Sequence, residues 1–345
     1  MARGQLLLPL ALLLSACRGD GAPAVRVLSS ADTVISDASE VLAVPVDLVV
    51  DPGGRLYVLD ESLAQVVRLE PGGARTLLGR PGAGPGEFRA PRALDVRGDT
   101  VRVDDRGNRR VVVFDGAGSV TRTYSLPERL PGTAAFGPGG QMTVTTLGFT
   151  AAGLAQRLDP QGVPVLTYGE LVAHASGFWN FTNMKADVRR GRVPNVLRNH
   201  AFPVMGQDGG SWLVLAAEGE VRRFDAAGRQ LWTRRVSLPE VKRIREQFFA
   251  ANRAEPNRAA FHALQIFVDA VAVGDALWVL VGNTDDEPSS VLVLSGDGTV
   301  SRRYQVPGLS GARSLAVDPQ RRRLYLTSPS AAAVVSAQIP AEGGE

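Results

Sequence analysis

Apolar and polar residues alternate with a period of two along most of the chain, in short runs that each follow a glycine-containing or otherwise tight turn. Six such turn-plus-strand units stand at 53–59, 98–103, 139–144, 209–214, 274–279 and 321–326. A second alternating run follows the first five at 66–73, 111–118, 155–162, 221–228 and 291–298, each ending in a glycine turn, and the sixth unit runs out at 334–339. Shorter third runs follow at 75–78, 120–124, 230–236 and 300–306, and a further run precedes the turn at 46–50, 93–96, 267–273 and 314–317. Each unit therefore predicts four strands.

Successive turns are 45, 41, 70, 65 and 47 residues apart. Three of these spacings match a four-stranded propeller blade, and the two long ones carry an excess that falls at 170–199 and 239–264, where the alternation stops. In the second of these, Val241, Ile244, Phe248 and Ala251 recur at helical spacing among Arg and Glu, which predicts an amphipathic helix. A row of antiparallel sheets leaves bare edges unless it closes. The expected fold is all-β: a six-bladed β-propeller of four-stranded antiparallel blades with two insertions, one helical. The strand-like stretch 25–44 belongs to no complete unit and is expected to supply the outer strand of the last blade.

One blade carries a more specific pattern. It reads Gly82-Ala83-Gly84-Pro85-Gly86-Glu87-Phe88, Pro91, an alternating run to Asp104-Asp105, then Asn108-Arg109-Arg110 and a strand ending in Phe114-Asp115. This resembles the NHL repeat; Asp51 and Asp60 in the first unit and the closing Leu158-Asp159 and Phe224-Asp225 keep parts of it. The whole resembles the six-bladed NHL-like propellers of bacterial lipoproteins, which implies a fold and leaves the function open. Asx residues at strand ends also have a structural use, capping turns.

The N-terminus changes the picture of location. One cation, Arg3, precedes an apolar run from Leu6 to Leu14, then Ser15, Ala16 and Cys17. The run is shorter than the roughly 20 residues a membrane span requires, and the order is that of a signal peptide. Leu14-Ser15-Ala16-Cys17 resembles the lipobox of bacterial lipoproteins, which implies cleavage before Cys17 and a lipid anchor on its thiol. The expected organisation is a signal peptide at 1–16, a lipidated tether at 17–24, the propeller at 25–340 and a tail at 341–345. Arg18 after the cysteine is not the Asp that in enteric lipoproteins retains the protein at the inner membrane, so the outer membrane is expected where two exist. Cys17 is the only cysteine, so no internal disulfide supports the fold. The formal net charge of +3 is too small to imply nucleic acid as a partner.

Chemistry is sparse. Propeller enzymes of the lactonase and gluconolactonase type hold a divalent metal on the ring axis; Asp60, Asp104, Asp105, Asn283 and Asp285 stand near the ends of the strands after the turns, yet form no assignable metal set. Related propeller lyases use a histidine base, and the three histidines, His174, His200 and His262, flank the insertions. No nucleophile elbow, zinc-ligand spacing or phosphate-binding loop is present, and no cofactor is implied. The insertions, as long loops on a rigid scaffold, are the expected place for recognition. The residues expected there are Phe178, Trp179, Phe181, Asn183, Arg189, Arg190, His200 and His262. The leading expectation is a membrane-anchored binding or scaffold propeller that takes a protein, peptide or saccharide on one ring face. The alternative is a metal-dependent hydrolase or lyase with its site in the axial channel.

Overall fold

Valine, leucine and aromatic residues hold the alternating runs extended, and Asx-Gly turns close them into hairpins. Asp115, Asp159 and Asp225 each accept two backbone N–H groups through one carboxylate oxygen, at 2.8–3.0 Å, from the residues two and four places on. The glycines that complete these turns, Gly118, Gly162 and Gly228, sit at φ of 87°, 85° and 77°, a region that residues with a Cβ rarely enter. These are the Asp positions of the repeat pattern, and capping turns is what they do here.

The computed structural model describes residues 22–29, 31–126, 132–147, 153–174, 180–257, 259–282 and 287–341. They form six antiparallel sheets. From the inside outward, blade 1 is Pro45–Val50, Leu56–Asp60, Gln65–Leu69 and Arg75–Leu78; blade 2 is Pro91–Arg97, Thr100–Asp105, Arg110–Phe114 and Val120–Ser125. Blade 3 is Ala134–Phe136, Met142–Thr145, Ala155–Leu158 and Pro164–Tyr168; blade 4 is Ala201–Met205, Ser211–Leu215, Glu220–Phe224 and Gln230–Arg235. Blade 5 is Phe267–Val273, Ala276–Val281, Ser289–Leu294 and Val300–Val306. Blade 6 takes Leu315–Asp318, Arg323–Ser328 and Ala333–Gln338 from the C-terminal end of the chain. Each innermost strand meets the next, and Leu315–Asp318 meets Pro45–Val50, so the ring is closed.

Closure is made by the N-terminal segment, as its pattern predicts, with one addition. Strand β2 (Asp32–Ile35) pairs antiparallel with Ala333–Gln338 as the fourth strand of blade 6. Strand β1 (Val25–Val27) goes elsewhere: it pairs parallel with Val300–Val306 and makes blade 5 five-stranded. The segment expected to serve one blade thus supplies the outermost strand of two.

Strand direction puts every link between blades, and every link between second and third strands, on one ring face; the tight hairpins lie on the other. Both insertions are links between blades and share the first face. One, between Tyr168 and Ala201, carries helices α1 (Phe181–Arg189) and α2 (Asn195–Arg198), which the strand pattern does not assign. The other carries α3 (Pro239–Ala254), which buries Val241, Ile244 and Phe248. These pack with Met184 and Val188 of α1 onto Trp212, Val214, Ile266 and Leu277 of blades 4 and 5 and their links. Burying each such side chain contributes about 1.5–3 kcal/mol. The Arg303 guanidinium pins α3 by two bonds of 2.8 and 2.9 Å to the Glu240 carboxylate, and also reaches the Pro23 carbonyl at 3.0 Å. No described helix is long and apolar enough to cross a membrane.

The residue ending the second strand of a blade ties down the incoming first strand. Asp60 accepts from the amides of Ala43, Val44 and Leu63 at 2.7–2.8 Å, and Asp105 accepts from Arg89 N, Asn108 Nδ2 and Arg110 Nε at 2.7–2.8 Å. Thr145 and Thr327 serve Thr133 and Ser314 in the same way. Arg110 and Asn108 then grip the carbonyls of Gly82, Ala83, Gly84 and Glu87 at 2.6–3.0 Å, so the glycine-rich run is an inter-blade turn.

Candidate functional site

The innermost strands of blades 1, 2 and 5 each break register near their first residues, between Pro45 and Asp47, Pro91 and Ala93, and Phe267 and Asp269. A bulge re-aims the side chain that follows it. In blade 2 that residue is Ala93, and in blades 1 and 5 it is an aspartate. Asp47 and Asp269 both line a cavity of about 570 Å³ that runs along the ring axis. The two carboxylates lie toward its insertion-face end. Pro52, Gly98, Gln207, Pro319 and Gln320, from the hairpin face, line its other end.

Ser314 joins the two aspartates across blade 6. Its Oγ lies 2.6 Å from Asp269 Oδ2 and 3.2 Å from Asp47 Oδ1. Asp47 also accepts from Leu94 N at 2.7 Å and Leu48 N at 2.8 Å; Asp269 accepts from Leu315 N at 2.9 Å and Ala270 N at 2.8 Å. No Arg or Lys partners either carboxylate among the described residues. Burial, reinforced by the charge of Asp269, pushes Asp47 up to about 8 against the pull of its hydrogen bonds. Burial likewise raises Asp269 to about 6, with Ser314, Leu315 and Ala270 pulling it down. Two carboxyl groups this close titrate as a unit, and the pair holds one proton near neutral pH.

That proton has a defined path. Ser314 has a single hydroxyl hydrogen, which the shorter contact directs to Asp269. A protonated Asp47 can then donate to Ser314 Oγ, giving the chain Asp47 carboxyl, Ser314 hydroxyl, Asp269 carboxylate. The rest of the cavity wall is acidic as well: Asp51, Asp95 and Asp318 line it with Arg97. Arg55 at 2.6 Å and Arg321 at 2.9 Å neutralise Asp51 and Asp318. Burial raises Asp95 despite Arg97 and Arg102 beside it.

A divalent cation does not fit the pair as a protein-built site. A calcium ion takes six to eight oxygens, whereas every oxygen of Asp47 and Asp269 already accepts a backbone N–H. No group of three or more His, Cys, Asp or Glu side chains able to hold a metal occurs among the described residues. Asp60, Asp104 and Asp105 do not line the cavity; Asp60 and Asp105 tie blades together, and Asp104 is paired with Arg106 at 2.5 Å. Asn283 and Asp285 lie outside the described residues.

The residues nominated on the insertions are scattered. Phe181 folds inward and stacks on Phe261 at 6.2 Å between ring centres, so it belongs to the packing of α1 on α3. Asn183 is exposed and donates its backbone N–H to the cap residue Asn180 at 3.0 Å, and Arg189 and Arg190 are exposed at the end of α1. His262 is half exposed, 3.1 Å from Glu255. His200 is half-buried just ahead of blade 4, and burial holds it below the usual histidine range. His174 is exposed on the first insertion. No hydrogen bond joins the three histidines among the described residues. Cys17, Phe178 and Trp179 lie outside the described residues. Sequence reasoning passed over Asp47, Asp269 and Ser314. Their signal is a Val-Asp pair at 46–47 and 268–269, a charge inside an otherwise apolar innermost strand, at nearly the same distance from the glycine turn in units one and five.

No protein-family model and no curated protein matches the sequence. Solved structures resemble it in fold. A calcium-binding protein, regucalcin, from Agrobacterium tumefaciens superposes with a TM-score of 0.54 at 15% identity, covering 92% of this chain and 96% of that one. A streptogramin B lyase does so at 0.51 and 14% identity over 87% and 94%, and a luciferin-regenerating enzyme at 0.50 and 12% over 90% and 96%. At such identities the likeness is one of fold, a six-bladed propeller shared with proteins that include enzymes.

Proposed function

We propose that the protein is an acid–base enzyme of the hydrolase or lyase class, working on a small molecule with an oxygen leaving group in the axial channel. The observation that carries this reading is the Asp47–Ser314–Asp269 relay, two carboxyl groups whose surroundings set their proton affinities apart. Asp269, ionised at neutral pH, accepts a proton from the substrate. Asp47, still protonated, gives one to the departing oxygen. Transfer from Asp269 through the Ser314 hydroxyl to Asp47 then restores the starting state. A C–H bond and a C–O bond break, one double bond forms, and the proton count balances without a metal. For hydrolysis, water takes the place of the C–H group.

The test is turnover by the purified protein of a panel of esters, lactones and ethers bearing an acidic C–H beside the leaving oxygen. The rate should follow a bell whose two limbs, near 6 and 8, belong to the pair, and either Asp269→Asn or Asp47→Asn should leave no more than a single limb. Equal turnover by wild type and the double variant across the panel would refute the reading.

We further propose that Cys17 carries a lipid that holds the propeller at the cell envelope, at the outer membrane where two exist. Radiolabelled fatty acid should enter the wild type and not Cys17→Ser. A second reading, recognition of a protein, peptide or saccharide on the insertion face, draws support from exposed Asn183, Arg189 and Arg190, and predicts that Arg189→Ala with Arg190→Ala abolishes that binding alone.

A further inference from the structure

Above blade 4, on the ring face opposite the axial cavity's hairpin end, the two insertions enclose a second cavity of about 470 Å³. Its walls carry Arg192 and Arg198 from the first insertion, Arg235 from the end of blade 4 and Arg245 from α3, with Asp187 and Glu218 as the only lining carboxylates. Glu220, behind the wall, also binds Arg235 at 3.1 Å, so four guanidinium groups face three carboxylates and one positive charge is left in excess, in a space bounded by Phe249.

The carboxylates are already spoken for. Glu218, its side chain 4% exposed, is bound by Arg198 Nε at 2.7 Å and Arg235 Nη2 at 3.0 Å, and Asp187 by Arg192 Nη2 at 2.6 Å. Arg245 gets none of them. Among the described residues it reaches the carbonyls of Ala217 and Glu218, at 3.4 and 3.3 Å, distances at which a hydrogen bond is weak. Burial, together with repulsion from Arg235 and Arg198, pulls it below the usual arginine range despite Glu218. A cation held half out of water, beside two others and without a carboxylate of its own, is costly unless something anionic completes it. The planar fork of arginine matches an oxyanion bidentately.

We infer that this cavity binds the phosphate or carboxylate group of an anionic ligand, with Arg245 and Arg192 as its principal donors and Arg198 and Arg235 behind them. Phe249 covers the adjoining apolar part of the ligand. The site is distinct from the axial relay and does not depend on it.

Calorimetry on the full-length protein in detergent, with inorganic phosphate and with succinate as probes, tests the inference. Saturable binding of at least one probe at millimolar concentration is expected, weakened about tenfold or more in Arg245→Met. The exposed Arg192→Ala should weaken binding in the same direction without disturbing the fold, and Arg189→Ala with Arg190→Ala should leave it unchanged. Vesicles with anionic and with zwitterionic headgroups separate the sources. Binding to anionic vesicles that phosphate displaces assigns the site to a lipid headgroup, and phosphate binding without vesicle binding assigns it to a soluble ligand. No saturable binding of either probe, or equal affinity in wild type, Arg245→Met and Arg192→Ala, would overturn the inference.

Discussion

Replacing Asp47 by Asn tests the relay without needing its substrate. Asparagine keeps the shape of a protonated aspartate: its carbonyl can accept from Leu94 N and its amide can donate toward Ser314, while the bond from Leu48 N is lost at a cost that does not depend on pH. In the unfolded chain Asp47 ionises near its ordinary 3.8, and in the fold near 8, so the native state holds the proton more tightly. The stability this lends is complete at low pH and is lost as pH rises through 8. One proton of difference corresponds to a slope of about 1.4 kcal/mol per pH unit. Between pH 6.5 and 8, allowing for half-titration at the upper end, the wild type should lose about 1–2 kcal/mol to this group. For a fold of this length that is about 3 °C in melting temperature. Channel water reaching Asp47 makes both upper figures. His200, lowered by burial, is present in both proteins and cancels in their comparison, and Asp269 is already largely ionised in this range. Calorimetric melting of wild type and Asp47→Asn at pH 6.5, 7, 7.5 and 8 gives the difference directly. The variant's curve should be flatter by that amount; parallel curves would mean that Asp47 is ionised throughout and that the relay holds no proton.

Three further outcomes follow from the packing. Ile35, 3% exposed against Leu48, Leu56 and Val334, anchors the closing strand; Ile35→Ala should cost about 3 kcal/mol in denaturant unfolding, and a loss below about 1 would mean that β2 contributes little to closure. Asp60→Ala strands three backbone amides and should cost about 3 kcal/mol, while leaving the titration of Asp47, followed by carboxyl-carbon NMR, where it was. Phe181→Ala should speed limited proteolysis within the two insertions without moving the melt of the blades, because its stacking joins α1 to Phe261, in the segment that follows α3 and packs on Phe248; equal cleavage rates would detach Phe181 from the cap.

The architecture was legible because each blade repeats a local rule, alternation followed by an Asx-Gly turn, and local rules survive in a single sequence. Closure was legible too, since a strand-like stretch with no partner implies a missing one. The path of Val25–Val27 to blade 5 was not: three residues carry too little pattern to choose between two neighbouring edges. The first insertion's helix starts on an Asn cap after aromatics that read as a recognition loop, and only the packing of Phe181 on Phe261 reveals its inward face. The relay stayed hidden for a different reason. Asp47, Asp269 and Ser314 are up to 267 residues apart and meet because the ring returns on itself. Asp60, Asp104 and Asp105, though acidic and near strand ends, were drawn away from the axis by backbone amides and arginines of neighbouring turns.

Joining Asp32–Ile35 to Ala333–Gln338 also orders events in time. The first strand of the last sheet leaves the ribosome about 300 residues before its partner, so blades 1 to 5 can assemble hairpin by hairpin while the final sheet waits. Bringing such distant segments together adds a loop-closure cost that grows only slowly with length but must be met before any bond of the last sheet repays it. Refolding should therefore end in a slow step that truncation before residue 333 abolishes, leaving the last sheet with two inner strands, bare edges at Arg323–Ser328 and Asp32–Ile35, and a strong tendency to associate.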